Sequence, residues 1–380
     1  MRIMYVVNSF GAGGAERHLL ALAGHMVRAG HSVLVAALTG AVSGGAKNIA
    51  DDFVSVGAQI AVLDRNRVNR LGDVGCWFGL RKLAGAWAPD ILHSHLPRAD
   101  FAASFVKRML PGILWISTVH DAYIKGVYSG YWVFRWLRRS WHLADHIVAV
   151  SAHAQRWVLE VLRLPKTRTS VIYHGLTGFP SYLEAQATIP RVHPFVVGCL
   201  ARYESRKGMD TLIRAMVTVC AKYPDARLVL AGSDPTGYAD DLRRLADKLH
   251  VGHAVDILDF CNDPLTFLSQ LDVFAFASIS EGFGIVLLEA MATGLPVVAS
   301  DIYPLNYIVV GGETGMLTNP AEPEAFAAAL IELLENPELA YRLGEAGRRR
   351  CLEEFSEAKM LQATESLYFD LTCLTSDVTI

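Results

Sequence analysis

The sequence predicts an α/β protein built from two doubly wound parallel-sheet domains, and three observations point there. The chain has 380 residues, more than one hydrophobic core comfortably serves. Short β-branched runs alternate with longer amphipathic segments along its whole length, the signature of βαβ units. That alternation lapses once, near residues 175–194, and then restarts.

In the first half, the runs at 3–7, 31–38, 59–63, 91–94, 114–119, 146–150 and 170–173 read as strands, and 15–29 as an amphipathic helix. The lapse holds Pro180, Pro190 and Pro194 among polar residues with no sustained period, which suits a linker. Beyond it, strands at 195–199, 227–231, 255–258, 273–277 and 296–300 alternate with helices over 208–222, 240–249, 284–293 and 323–335, and a helical tail follows from 340. The expected division is a first domain over 1–178, a linker over 179–193 and a second domain over 194–350. A C-terminal helix over 351–380 is expected to pack back on the first domain. Open α/β sheets bind ligands beyond the carboxyl ends of their strands. Two such domains are therefore expected to face each other across a cleft lined by residues that follow strands.

Composition narrows the function classes. With 52% hydrophobic and 19% charged residues the chain can bury substantial cores. Its 35 Lys and Arg against 38 Asp and Glu give a net charge of −3, so nothing draws it globally to nucleic acid. Cys76, Cys199, Cys220, Cys261, Cys351 and Cys373 form no CxxC pair or metal-type cluster and are expected as reduced, buried thiols. The first residues run straight into a strand-like segment, and no uncharged apolar stretch reaches the ~20 residues of a membrane span. A cytoplasmic protein, at most peripheral to a membrane, is the expectation.

The densest signal lies at 278–300, which reads strand end, glycine loop, helix, glycine stop, strand. Gly282 and Gly284 allow backbone N–H groups to approach a ligand, and the helix that starts near Gly284 offers unpaired donors and a positive dipole end. A diphosphate fits there. Glu281 precedes the helix and Glu289 lies about two turns into it. A carboxylate at Glu289 can accept two vicinal ribose hydroxyls, and its apolar neighbours Leu287, Leu288, Ala290 and Met291 make an unbound carboxylate hard to explain. The competing reading makes Glu281 a helix-entry acid and Glu289 a surface residue.

These residues resemble the retaining glycosyltransferases of family 4, whose pair of glutamates separated by seven residues is matched by Glu281 and Glu289. Four further segments resemble the family in order: Gly13-Gly14-Ala15-Glu16-Arg17, residues 144–151 ending in Ser151, Ile172-Tyr173-His174-Gly175, and residues 199–208 with Arg202 and Lys207. The resemblance implies a GT-B architecture of two Rossmann-like domains and transfer of a hexose-type sugar from a nucleotide diphosphate donor. Arg202 and Lys207 would neutralise the leaving diphosphate in place of a metal, so no cofactor is expected. Gly13, Gly14, Gly282, Phe283, Gly284, Ile285 and Glu289 would bind the donor. Glu281 and His120, with the two cations, would act at the reacting sugar.

Taken alone, Gly13 and Gly14 belong to a weak dinucleotide fingerprint with Glu16 in place of the third glycine and no acid after the second strand, which disfavours NAD. His120 is equally readable as a hydrogen-bonded strand-end residue, His93 and His95 as structural or acceptor-side, and Ser151 as a phosphate contact or a helix cap.

The sequence departs from the family after Ser300, where Asp301-Ile302-Tyr303-Pro304 replaces a glycine pair and an acid, and at Phe260-Cys261. UDP is the expected nucleotide, with GDP open. The acceptor would be a glycan, a lipid-linked glycan or a small molecule in cell-surface polysaccharide or glycoconjugate synthesis. The segment 131–141 interleaves Tyr131, Trp132, Phe134, Trp136 and Trp141 with Arg135, Arg138 and Arg139. It reads either as a peripheral contact with anionic membrane or as a helix burying its aromatics. A sugar-nucleotide epimerase of the same architecture and a non-catalytic sugar-nucleotide-binding protein are the alternatives.

Overall fold

The structure is a computed structural model and describes residues 1–42, 47–64, 70–120, 138–177, 195–234 and 236–376. It divides into two compact units, one of Met1–Ser43, Lys47–Thr177 and Glu357–Ile380, the other containing Gly178–Ser356. The linker expected over 179–193 lies outside the described residues.

The first unit is built on β1 (Arg2–Val7), β2 (Ser32–Thr39), β3 (Gln59–Asp64), β4 (Ile91–His95), β5 (Leu114–Val119), β6 (His146–Ala149) and β7 (Thr169–Val171). They form one parallel sheet in the order β3-β2-β1-β4-β5-β6-β7. The central strands are buried on both faces and do not alternate apolar with polar residues; β4 buries His93, Ser94 and His95 beside Ile91 and Leu92. The pleat sorts β1 between two cores: Ile3, Tyr5 and Val7 face helix Gly14–Arg28, whereas Met4 and Val6 face the side covered by helices Arg70–Trp87 and Pro97–Met109.

Helix Glu357–Ser376 belongs to this first unit. Its Met360, Leu361 and Tyr368 are buried with Leu19, Leu22 and Ile3, and Glu365 accepts from His25 at 2.8 Å.

The second unit contains β8 (Val196–Leu200), β9 (Arg227–Ala231), β10 (Val255–Leu258), β11 (Val273–Phe276), β12 (Val297–Ser300) and β13 (Met316–Thr318) in the parallel order β10-β9-β8-β11-β12-β13. In each sheet the chain reverses direction across the sheet once, between β1 and β4 in the first and between β8 and β11 in the second. These are the topological switch points, where the loops after adjacent strands run to opposite sides and leave room for a ligand.

Three details differ from the sequence reading. The helical tail is two helices, Pro337–Glu354 and Glu357–Ser376, and the passage between units falls between Ser356 and Glu357. Residue 351 is thus not a boundary: Cys351 is buried in the second unit, its thiol against the Leu288 carbonyl at 3.4 Å. Strand β13 is only three residues long, too short for a periodic signal. Of the cysteines, all free, Cys76, Cys199 and Cys351 are buried, but Cys220 and Cys261 are half-buried and Cys373 is exposed. Among the described residues no helix is long and apolar enough to cross a membrane.

Candidate functional site

The second sheet brings its predicted residues together at its switch point. Lys207 follows β8, Glu281 follows β11, and the Lys207 ammonium lies 2.5 Å from Glu281 Oε1, both side chains buried. Gly208 makes this approach possible. Its φ is +66°, and a Cβ there would stand 1.9 Å from the Ala277 carbonyl oxygen, so only glycine lets the turn close on the end of β11.

Arg206 is the anchor between the two loops. Its guanidinium donates to the Ser280 carbonyl at 3.0 Å. Its own carbonyl accepts from the Ile279 amide at 2.9 Å and from the Ser278 hydroxyl at 3.0 Å. Glu204 joins the set by pairing with Arg206 and with Arg202, each at 2.8 Å. Arg202 is the outlier of the cluster, 57% exposed along its side chain and able to swing toward a ligand.

The glycine loop behaves as the sequence suggests at Gly284, which has φ +102° immediately before helix Ile285–Ala292. A Cβ there would strike Leu305 at 2.7 Å. Gly282 and Phe283 are buried, while Ile285 and Glu289 are half-buried. The Phe283 ring packs edge-on against Phe355 with centroids 5.9 Å apart, so the side chain serves the core and leaves the backbone to a ligand. The helix opens with amide donors that its own turns do not use, and with its positive dipole end.

At the switch point of the first sheet, Gly13 and Gly14 begin helix Gly14–Arg28. A Cβ on Gly13 would lie 2.5 Å from a Glu16 carboxylate oxygen, so the helix start carries the chain's own acid beside it. The same edge collects imidazoles. His95 Nδ1 lies 3.0 Å from His120 Nε2, His120 Nδ1 lies 3.3 Å from His174 Nε2, and His174 Nδ1 lies 3.1 Å from His18 Nδ1.

Burial holds His18 down to about 4 and keeps His95, His120 and His174 well below the ordinary histidine range. His93, at about 3, sits behind them between Tyr368 and Thr118, its Nε2 2.7 Å from the Thr118 hydroxyl. Among the described residues, two buried polar atoms at the ends of β1 and β4 lack a hydrogen-bond partner: Asn8 Oδ1 and His95 Nε2. Among the described residues no group of three or more His, Cys, Asp or Glu is arranged to hold a metal ion.

At two positions where the sequence left alternatives open, the structure shows one of them. Ser151 caps helix Ala152–Trp157, accepting from the Ala154 amide at 3.1 Å. Trp141 is fully buried and donates to Asp100 at 3.1 Å, so it belongs to the core and not to a membrane-facing surface. The remaining aromatics, Tyr131 to Trp136, lie outside the described residues. Asp100 also accepts from Ser94 and Ser117, and its burial raises it to about 7. His18, His174 and Arg206 carried no role in the sequence reading. The available signal was the alternation His93-x-His95, which puts both rings on one strand face.

Comparison with known proteins agrees with this geometry. The model for "Glycosyltransferase Family 4" matches residues 12–177, and that for "Glycosyl transferases group 1" matches residues 184–350. A phosphatidyl-myo-inositol mannosyltransferase of Mycobacterium leprae is 32% identical, covering 88% of this chain and 87% of that protein. A glycogen synthase of Mycobacterium tuberculosis is 27% identical over 94% and 91%. The Anabaena protein Alr3699/HepE in complex with UDP and glucose superimposes with a TM-score of 0.83 at 20% identity, covering 97% and 99%. A sucrose-phosphate synthase of Thermosynechococcus elongatus gives 0.79 at 21% identity over 98% and 100%.

Two Rossmann-type domains with these switch-point sites make a glycosyltransferase of the GT-B architecture. Within that class the chain belongs to glycosyltransferase family 4.

Proposed function

We propose that this transferase moves a hexose-type sugar, with retention and without a metal, from a UDP-sugar to a glycan, lipid-linked or small-molecule acceptor. Such a reaction would serve cell-surface polysaccharide or glycoconjugate synthesis, lipopolysaccharide among them, at the cytoplasmic face of the cell membrane. The observation that carries the reading is the Lys207–Glu281 pair beside the open N-terminus of helix Ile285–Ala292. A cation, an acid and the N-terminal end of a helix within one loop cluster suit a sugar diphosphate. UDP is favoured over GDP because the Anabaena neighbour binds UDP and UDP-glucose.

In this scheme the diphosphate draws Lys207 and Arg202, which neutralise the charge that develops as the anomeric C–O bond breaks. Glu281, released from its lysine, accepts from sugar hydroxyls, and Glu289 accepts from the ribose. The acceptor oxygen bonds the anomeric carbon on the face the diphosphate leaves, and its proton passes to the departing phosphate oxygen. Trapping of a covalent glycosyl-enzyme adduct would overturn that front-face route.

Saturation-transfer NMR and calorimetry against UDP, GDP, ADP and their sugars, in EDTA, test the donor. Binding of UDP weakened in Lys207→Ala and Glu289→Ala supports the reading, whereas silence of the folded protein toward every nucleotide removes it. Flotation with anionic liposomes tests the peripheral membrane contact, which fails if the protein stays at the bottom of the gradient.

A further inference from the structure

We infer that His18, His174 and His95 are positioning residues that fix His120 as the Nδ1–H tautomer, so that it offers a ligand a hydrogen-bond donor and no base. The three contacts among the four rings run Nδ1 to Nδ1, Nε2 to Nδ1 and Nε2 to Nδ1 from His18 through His174 and His120 to His95. Each neutral imidazole has one N–H and one lone pair. Four rings joined by three hydrogen bonds can therefore adopt only two arrangements, because choosing the donor in one contact fixes the other two.

In one arrangement the protons point toward His95, whose Nε2 then carries an N–H. In the other they point toward His18, whose Nε2 carries it. The two ends are not equivalent. His95 is fully buried, and its Nε2 has no partner among the described residues, whereas His18 keeps 6% of its surface. An N–H shut away without an acceptor is the rarer defect in folded proteins, and an acceptor short of a donor is the more common one.

The second arrangement therefore holds: His95 Nδ1–H donates to His120 Nε2, His120 Nδ1–H to His174 Nε2, and His174 Nδ1–H to His18 Nδ1. The lone pair of His120 is taken up by His95. What His120 can release is the N–H on its longest link, the 3.3 Å contact with His174. A ligand atom that displaces His174 must be an acceptor, such as a sugar hydroxyl oxygen or a phosphate oxygen. This last step rests on the sugar-nucleotide reading above, but the tautomers do not.

Long-range ¹H–¹⁵N correlation spectra of the ¹⁵N-labelled wild-type protein at pH 7.5 distinguish the two arrangements. Expected are Nδ1–H patterns for His95, His120 and His174 and an Nε2–H pattern for His18. The reverse set, or an imidazolium pattern at any of the four, overturns the inference. In a transfer assay, His95→Phe should lower kcat about tenfold by removing the donor that holds His120, with donor KM little changed. His95→Asn, which restores an N–H at that point, should recover most of the loss. Equal loss in both folded variants argues against the positioning role. Addition of UDP-glucose to the wild type separates the two readings: no resonance moving anywhere refutes the donor assignment and leaves the tautomer result standing.

Discussion

Lys207 and Glu281, 74 residues apart in sequence, meet as a buried ion pair with the ammonium 2.5 Å from the carboxylate. Each is the other's partner in the ligand-free chain, so whatever binds there must offer both a replacement.

Glu281→Gln should lower the transfer rate by roughly a hundredfold, in line with the loss of one positioned electrostatic contact at the reacting centre. It should also cost stability, because it strands a buried ammonium, an effect of about 3 kcal/mol or more. The double change Lys207→Met, Glu281→Leu should regain most of that stability and none of the activity. Urea unfolding beside a radiolabelled-sugar transfer assay separates the two effects.

Gly208→Ala should be among the most damaging single-methyl additions in the second unit. The left-handed conformation costs ~1 kcal/mol for an L side chain, and the new carbon collides with the Ala277 carbonyl. A loss of at least ~2 kcal/mol in urea unfolding is expected, with donor binding weakened as the Lys207 turn backs away. Unchanged stability would mean that this turn is looser than its contacts imply.

Arg206→Ala should act on binding more than on rate. Its side chain and carbonyl tie down residues 278–280, so without the guanidinium the loop bearing Glu281 loses its anchor. A rise of about tenfold in donor KM with a smaller change in kcat is expected from the loss of one charge-assisted hydrogen bond.

Acid should unfold the first unit in a window set by its histidines. Folded His18 and His146 titrate near 4 and His93 near 3, and the rest of the chain of rings also lies low, against about 6.5 for an unfolded histidine. Between those values the unfolded chain binds more protons, so stability is complete above pH 6.5 and falls as pH drops toward 4, by about 1.4 kcal/mol per pH unit for each group.

Asp100 runs the other way. Raised from 3.8 to about 7, it binds its proton more tightly when folded, and its contribution shrinks as pH rises from 4 to 7. The penalty of Asp100→Asn should accordingly be smaller at pH 8 than at pH 5. Chemical denaturation of both proteins across pH 4–8 checks the two signs together.

Much of this was legible in the sequence where signals are local. Strands and helices follow from apolar periodicity, and the loop after β11 announces itself because glycines, an acid and a helix start are consecutive. The sequence did not show where the Phe283 ring goes: it packs on Phe355, which is 72 residues away. Arg206 and the imidazole chain were invisible for a related reason. Those four histidines lie on or after different elements, and the strand order β1-β4-β5-β6-β7, which no local pattern encodes, brings them to one edge.

The docking of helix Glu357–Ser376 on the first sheet has a consequence for synthesis. On the ribosome the first 177 residues emerge without the helix that completes one face of their sheet, and Tyr5 and His93 wait for Tyr368 until the second unit has been made. The second unit, contiguous in sequence from Gly178 to Ser356, can close sooner. The half of the protein translated first is therefore the half that finishes folding last.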